Sequence, residues 1–355
     1  MKTSAAVPFR PSARSHPAAG RTVVRAGPLA FVVRRRAAAA GLLLIVLTAA
    51  ATLVSLGVGS TFIAPLDVVR ALAGDGPSTV VVQDLRLPRI VLGLAVGAVL
   101  GLSGALLQAV SRNPLASPDV VGVSQGAGLA ATLVMSAGLG SAWLGPFALL
   151  GGLAAAAAVF AVSGRHGLAA HRFVLGGVAV ALALKALTEV FIVGADPIEG
   201  QRARIWLAGS LAGLGHRETL TLLVPVLLLA PVLVWAGRAM DTTALDDDVA
   251  RGLGVRVVRR RLALAGVAVV LAALATSQAG AVDFVALAAP QLARRLVRAE
   301  RPPLACAALT GALLTVVADL IARTAFAPVQ LPVGVLTAAL GGPYLLWLLV
   351  RRRNR

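Results

Sequence analysis

The sequence predicts an all-α, polytopic membrane protein with about ten transmembrane helices, and three observations carry that reading. Hydrophobic residues fill 58% of the 355 positions and charged residues only 14%, where a soluble domain would carry about a quarter charged residues. Apolar runs long enough to cross a bilayer recur along the whole chain. The net charge of +18 is gathered into short arginine clusters between those runs. Such clusters orient a membrane chain and do not by themselves mark a nucleic-acid surface. Cys306 is the single cysteine, which excludes an internal disulfide and argues against a cysteine-based metal cluster.

Taken in order, residues 1–36 are rich in Arg, Pro and Ser and hold no acidic residue. They read as a basic disordered tail on the cytoplasmic side, although the composition also suits an organelle transit peptide. The remainder, 37–353, reads as one membrane domain. Span one covers about 37–58, and an outer segment follows with Pro65, Asp67, Gly74-Asp75-Gly76 and Arg86 to Arg89. Span two, about 90–111, carries Gly93, Gly97 and Gly101, with Gly104 and Gln108 further on. Steps of four and three place these on one helical face. A face without β-carbons lets a neighbouring backbone come close, so the four glycines are candidate helix-packing positions. The helix breaks at Asn113-Pro114, turns through Ser117-Pro118-Asp119 and re-enters apolar sequence.

Span three follows at about 119–138 and span four at about 146–162. A basic loop with Arg165, His166, His171 and Arg172 leads to span five, about 173–194. The polar segment 196–217, containing Ile205-Trp206-Leu207, reads as a short interfacial helix. Span six lies at about 219–237, and 238–261 is the largest polar connector. Span seven covers about 262–282, a shorter apolar piece to 296 forms span eight, and spans nine and ten lie at about 304–321 and 333–350. Ten crossings put both termini on one side. The loops then sort by charge: the N-tail, Arg112, Arg165, Arg172, the arginines of 251–261 and 294–301, and the C-tail share one face. The positive-inside rule makes that face cytoplasmic in a cell membrane.

No self-contained catalytic constellation is present. The two lysines, Lys2 and Lys185, sit in no Walker A loop. H-E-x-x-H and paired Cys are both absent from the sequence. The four histidines, His16, His166, His171 and His216, are scattered over tail and loops. Asp246-Asp247-Asp248 is a contiguous acidic run whose side chains splay around a helix, which suits a contact surface better than a metal site. Charges inside spans are costly and functional by default. Lys185 and Glu189 are four apart in span five, on the face that also presents Gly177 and Ala181; they form either an ion pair, buried against a neighbour or snorkelling outward, or a pathway lining that contacts a polar solute. Asp319 and Arg323 read as a salt bridge at the end of span nine, and Asp283 as a group reaching the outer interface.

Several of these segments resemble one family. Arg86-Leu87-Pro88-Arg89, the run SGALLQ at 103–108 and RNPLASPDVVGVSQGAG at 112–128 resemble the FecCD family of ABC-importer permeases. So do Trp206 with Leu207-Ala208-Gly209-Ser210, LDDDVARGLGV at 245–255, FVALAAPQLAR at 284–294, and ADLIAR at 318–323 followed by LPVGVLT at 331–337. The resemblance covers about 37–353. It departs at Asp283, where a glycine is usual, at Gln291, where a histidine is usual, and at Asp246-Asp247, which replace Gly-Glu.

The resemblance implies a ten-helix permease domain with spans 2–5 and 7–10 as an inverted repeat, working as a homo- or heterodimer in the cell membrane. It implies uptake of iron(III)-siderophore complexes, with haem or cobalamin as alternative cargo. A separate ABC ATPase subunit would hold ATP and Mg²⁺, this chain binding no cofactor, metal or nucleic acid and acting as no enzyme. An extracytoplasmic solute-binding protein would dock at Arg86, Arg89 and Arg323. The ATPase would engage Leu245, Asp246, Asp247, Val249, Ala250 and Gly254. Gly177, Ala181, Lys185 and Glu189 stand as pathway candidates. Two other classes remain open from the residues alone: an ion-coupled secondary transporter using Lys185, Glu189 and Asp319 as relay groups, and a membrane-embedded lipid enzyme.

Overall fold

The computed structural model describes residues 21–26, 29–59, 61–163, 170–243, 247–299, 303–326 and 328–353. Two short strands come first, β1 (Arg21–Ala26) and β2 (Leu29–Arg34), paired antiparallel with Val23 opposite Val32 and Val24 opposite Phe31. Part of the segment expected to be a disordered tail is paired as this hairpin. The rest of the described chain is helical, as expected.

Helix α1 (Arg35–Gly57) is followed by the short α2 (Pro65–Leu72), which starts with Pro65 in its first turn, where no N–H is needed. A π-helical turn, Val81–Arg86, leads into α3 (Leu87–Ser111), which ends at Arg112 in a left-handed conformation. A 3₁₀ turn at Pro118–Val121 precedes α4 (Val123–Ser136). Then come α5 (Leu144–Ser163), α6 (Ala170–Gly194) and α7 (Pro197–Leu207), the last capped by the Asp196 carboxylate, which accepts from the Ile198 N–H at 2.9 Å. Helices α8 (His216–Leu228) and α9 (Ala230–Thr243) are two arms of one apolar unit bent by 55°. Pro225 and Pro231 flank the bend, and each removes a backbone donor and crowds the preceding turn. The polar connector carries the short α10 (Asp247–Gly252). Helices α11 (Val257–Ala279), α12 (Val285–Val297), α13 (Leu304–Thr324) and α14 (Val333–Arg353) complete the chain.

Each of the ten expected spans coincides with a helix or with the α8–α9 pair, yet they are not ten equal rods. Among the described residues six helices are long and apolar enough to cross a membrane alone, or seven with the bent pair. Helices α4 and α12 have 14 and 13 residues, so each rises about 20 Å against a hydrocarbon core of about 30 Å. Irregular backbone at 112–122 and 280–284 supplies the remaining depth, and such backbone is tolerated where protein surrounds it. The unit α3–α4–α5–α6 (25, 14, 20 and 25 residues) is matched by α11–α12–α13–α14 (23, 13, 21 and 21). Helices α3 and α11 run antiparallel: Ser103 Oγ donates to the Ala268 carbonyl at 2.6 Å, and the end of α3 meets the start of α11 at Asp247. Their opposed directions and matched lengths are those of an inverted repeat.

Helix α3 is the central pillar. Its span is 78% buried, against 11% for α1 and 22% for α6, so those two stand at the edge of the chain. Leu92, Val96, Val99, Leu106 and Leu107 of α3 join Leu264, Leu271 and Leu274 of α11 in the main core.

Candidate functional site

The glycine stripe faces α13 and α12. A methyl group added at Gly97 would fall on the Gly311 carbonyl, and one at Gly101 on the Ala307 carbonyl. Gly93 packs against the Leu211 side chain, and Gly104 against the Ala286 carbonyl at the start of α12. Pro290 has no N–H to offer that Ala286 carbonyl, which is why it lies open to a close approach. One residue on, Gln108 Nε2 donates to the Leu287 carbonyl at 3.1 Å. Gln291 then ties three family segments together: its Nε2 donates to Gln108 Oε1 (2.6 Å) and to the Pro114 carbonyl (3.0 Å), and its Oε1 accepts from Arg294 (3.1 Å). A planar amide supplies both donors and an acceptor from one side chain without a titratable ring.

Two other family segments meet at the break before α12. Ser210 N–H donates to the Ala279 carbonyl at 2.9 Å and Gly334 N–H to the Gly209 carbonyl at 3.1 Å. Gly209 (φ +71°) lies on the Ala281 carbonyl and Gly280 (φ +70°) on the Trp206 carbonyl. Both need left-handed backbone and an absent β-carbon, so the Trp206–Ser210 and Leu331–Thr337 segments are joined by backbone to the break before α12. Asp283 sits in that break, between Ala281 and the Ala286 that packs on Gly104, about 26 Å along α3 from its start. It is therefore inside the bundle and not at the outer interface as its position after span seven suggested.

The three arginines expected to dock a binding protein are turned inward. Arg86 is buried and donates to the Leu56 carbonyl (2.6 Å), the Thr61 carbonyl (2.6 Å) and Thr61 Oγ1 (3.1 Å). Arg89 forms a bidentate pair with Asp319, Nη2 to Oδ1 at 2.8 Å, and reaches Gln330 Oε1 at 3.0 Å. Arg323 donates to the Ser55 carbonyl and hydroxyl and lies 3.6 Å from Asp319. Asp319 therefore sits between two guanidiniums, with Arg89 and not Arg323 as its closer partner. The cluster ties the ends of α1, α3 and α13 together, and only Arg89 keeps some exposure, at 12% of its side chain.

At the basic face, Leu245 and Asp246 lie outside the described residues. Asp247 is clamped between Arg261 (Nη2 to Oδ1, 2.6 Å) and Arg112 (2.8 Å). Partial burial works against its ionisation, but the Arg261 and Arg112 guanidiniums outweigh it and hold the carboxyl below the usual carboxylate range. Ala250 is buried against the body, while Val249 and Leu253 are 55% and 69% exposed. Leu253, four residues after Val249, is the apolar partner that sequence reasoning passed over; the spacing alone could have found it. Gly254 (φ +76°) turns the chain back, its N–H on the Arg251 carbonyl.

The span-five candidates are not one face. Gly177 is buried, with the Val120 carbonyl where its side chain would be. Ala181 is half-buried, and Lys185 and Glu189 are exposed. Steps of four advance about 40° beyond a full turn each, so three of them swing from Gly177 to a different side by Glu189. Glu189 pairs with Arg204 of α7 at 3.6 Å rather than with Lys185.

A bundle in which two half-length helices begin inside the protein, within matched units of opposite direction, has the build of a membrane transport protein. It is a multi-pass membrane protein, and its sequence places it more narrowly. The chain belongs to the FecCD transport family, whose model matches residues 45–351. It is 43% identical over 311 residues to the achromobactin transport system permease protein CbrC of Dickeya dadantii, covering 86% of this chain and 89% of that one. It is 39% identical over 312 residues to the ferric enterobactin transport system permease protein FepG of Escherichia coli, covering 86% and 93%. Among solved structures, an inward-facing metal-chelate type ABC transporter superposes with a TM-score of 0.77 at 27% identity, over 88% of this chain and 99% of that one.

Proposed function

We propose that this chain is the membrane-spanning subunit of an ATP-binding-cassette importer that takes up iron(III)-siderophore complexes. Two copies, or one copy with a related subunit, enclose the pathway; a separate ATPase binds ATP and Mg²⁺ on the cytoplasmic side, and a solute-binding protein delivers the chelate from outside. Both termini lie in the cytoplasm, on the face that carries Arg112, Arg261 and Arg294.

The observation that carries this reading is the FecCD match along 45–351, with relatives named for achromobactin and ferric enterobactin transport. The geometry of α10 fits the energy-coupling part. Val249 and Leu253 offer an apolar ridge to a groove on the ATPase, and Asp247 transmits its movement to Arg112 and Arg261. The ion-relay alternative has less behind it, because Glu189 and Asp319 are each already paired with an arginine, at 3.6 Å and 2.8 Å.

The test is uptake of radioactive iron, presented as ferric enterobactin or another siderophore complex, into cells or vesicles containing the chain with its neighbouring ATPase and binding protein. Uptake that needs ATP hydrolysis and stops when the ATPase is inactivated is expected. Uptake driven by an ion gradient with the ATPase absent would replace this reading with the secondary transporter.

A further inference from the structure

Helix α6 is exposed over most of its surface, and one stripe of that surface carries Leu175, Val178, Leu182, Lys185, Glu189 and Val193. These positions fall within a narrow sector of the helix. All are apolar except the two charges, and the charges are not equivalent. Glu189 has Arg204 beside it at 3.6 Å, whereas Lys185, one turn deeper, makes no ion pair among the described residues. Lys185 lies nine residues before Gly194, about 14 Å from that end of the helix, farther than a lysine side chain reaches. An ammonium held at that depth against hydrocarbon is costly and seldom found. This stripe therefore faces water or a counter-charge, and not lipid.

We propose that Lys185 is the charge-selecting group of the pathway wall and that the chelate carried has a net negative charge. The inference rests on the importer reading above and deepens it. A ferric complex with carboxylate or catecholate ligands carries excess negative charge over the metal, while a trihydroxamate complex of iron(III) is close to neutral. A lone ammonium on an apolar wall attracts the first class without holding it by directed bonds. The apolar neighbours Val178 and Leu182 leave the complex free to move on. A pairwise symmetric arrangement would present two such ammonium groups across the pathway.

The test needs neither ATP nor transport, so its failure is separable from failure of the importer reading. In a Cys306→Ala background, Leu182→Cys places a thiol one turn from Lys185. The full-length protein in membranes is labelled with the anionic sulfonatoethyl and the cationic trimethylammonioethyl methanethiosulfonates. One charge about 6 Å away in a water-like medium changes each rate about threefold in opposite directions, so Lys185→Gln should lower the anionic-to-cationic rate ratio about tenfold. Lys185→Arg should preserve the ratio. Ferric citrate should slow the labelling, and neutral ferrichrome at the same concentration should not. An unchanged ratio in Lys185→Gln, or no labelling by either reagent, overturns the wall assignment. Protection by ferrichrome, or by neither chelate, overturns the substrate class.

Discussion

At the scale of single residues, the chain keeps its charges by surrounding them. Asp319, 3% exposed, is shared by Arg89 and Arg323, so removing it leaves two guanidiniums in a buried site. Breaking a buried pair from one side costs about 3–5 kcal/mol. Asp319→Asn should therefore lower the thermal midpoint of the detergent-solubilised protein before it affects any partner. A normal midpoint together with weakened binding-protein docking would return the cluster to an outer-face role. Asp247 behaves differently because it sits at the protein surface. Its carboxyl is held below the usual range by Arg261 and Arg112, against the opposing effect of partial burial. A depressed carboxylate contributes above its unfolded value and loses that contribution only as pH falls through the folded one. Coupling through Asp247 should thus be flat across the neutral range, whereas Asp247→Asn should reduce solute-stimulated ATP hydrolysis at every neutral pH. Stimulation in that variant equal to wild type would place the link elsewhere.

At the scale of elements, α3 and α13 meet backbone to backbone. Gly97→Leu should force them apart, because the new side chain would land on the Gly311 carbonyl and on Thr315. Overfilling a close-packed seam costs about 1–3 kcal/mol and more where backbone must move. Gly41→Leu on α1, with nothing within 4 Å of its added β-carbon, is the matched control. Loss of folded protein for the first and normal yield for the second is expected from size-exclusion profiles; equal yields would show that the seam can open. This stripe was legible in the sequence because its spacing keeps to one face over three turns and its partner stripe, Ala307, Gly311 and Thr315, has the same step. The pathway set starting at Gly177 was not legible in the same way. Its longer run of fours drifts around the helix, and only the position of Val120 showed which end was covered. The half-length α4 and α12 escaped for another reason. Hydropathy reports apolar residues, whether they are coiled at 1.5 Å each or drawn out in buried irregular backbone. The inward turn of Arg86, Arg89 and Arg323 was hidden too, since their acceptors come from two distant parts of the chain, Ser55 to Thr61 and Asp319.

At the scale of the whole molecule, the proposed ten crossings would return the chain to the face on which it began. A fluorescent reporter fused after Arg353 should be bright inside the cell, and alkaline phosphatase at the same point should be inactive. The reverse pair of results would mean an odd number of crossings and a misplaced half-length helix. One further property follows from the grip of Asp247 on both Arg112 and Arg261. Those arginines belong to the opening helices of the two inverted halves, so one carboxylate acts as a yoke across the pseudo-symmetry. A displacement of the connector then reaches both halves in the same instant, and a state with one half thrown and the other waiting has no mechanical support. Single-molecule distance traces between the halves should accordingly switch in one step.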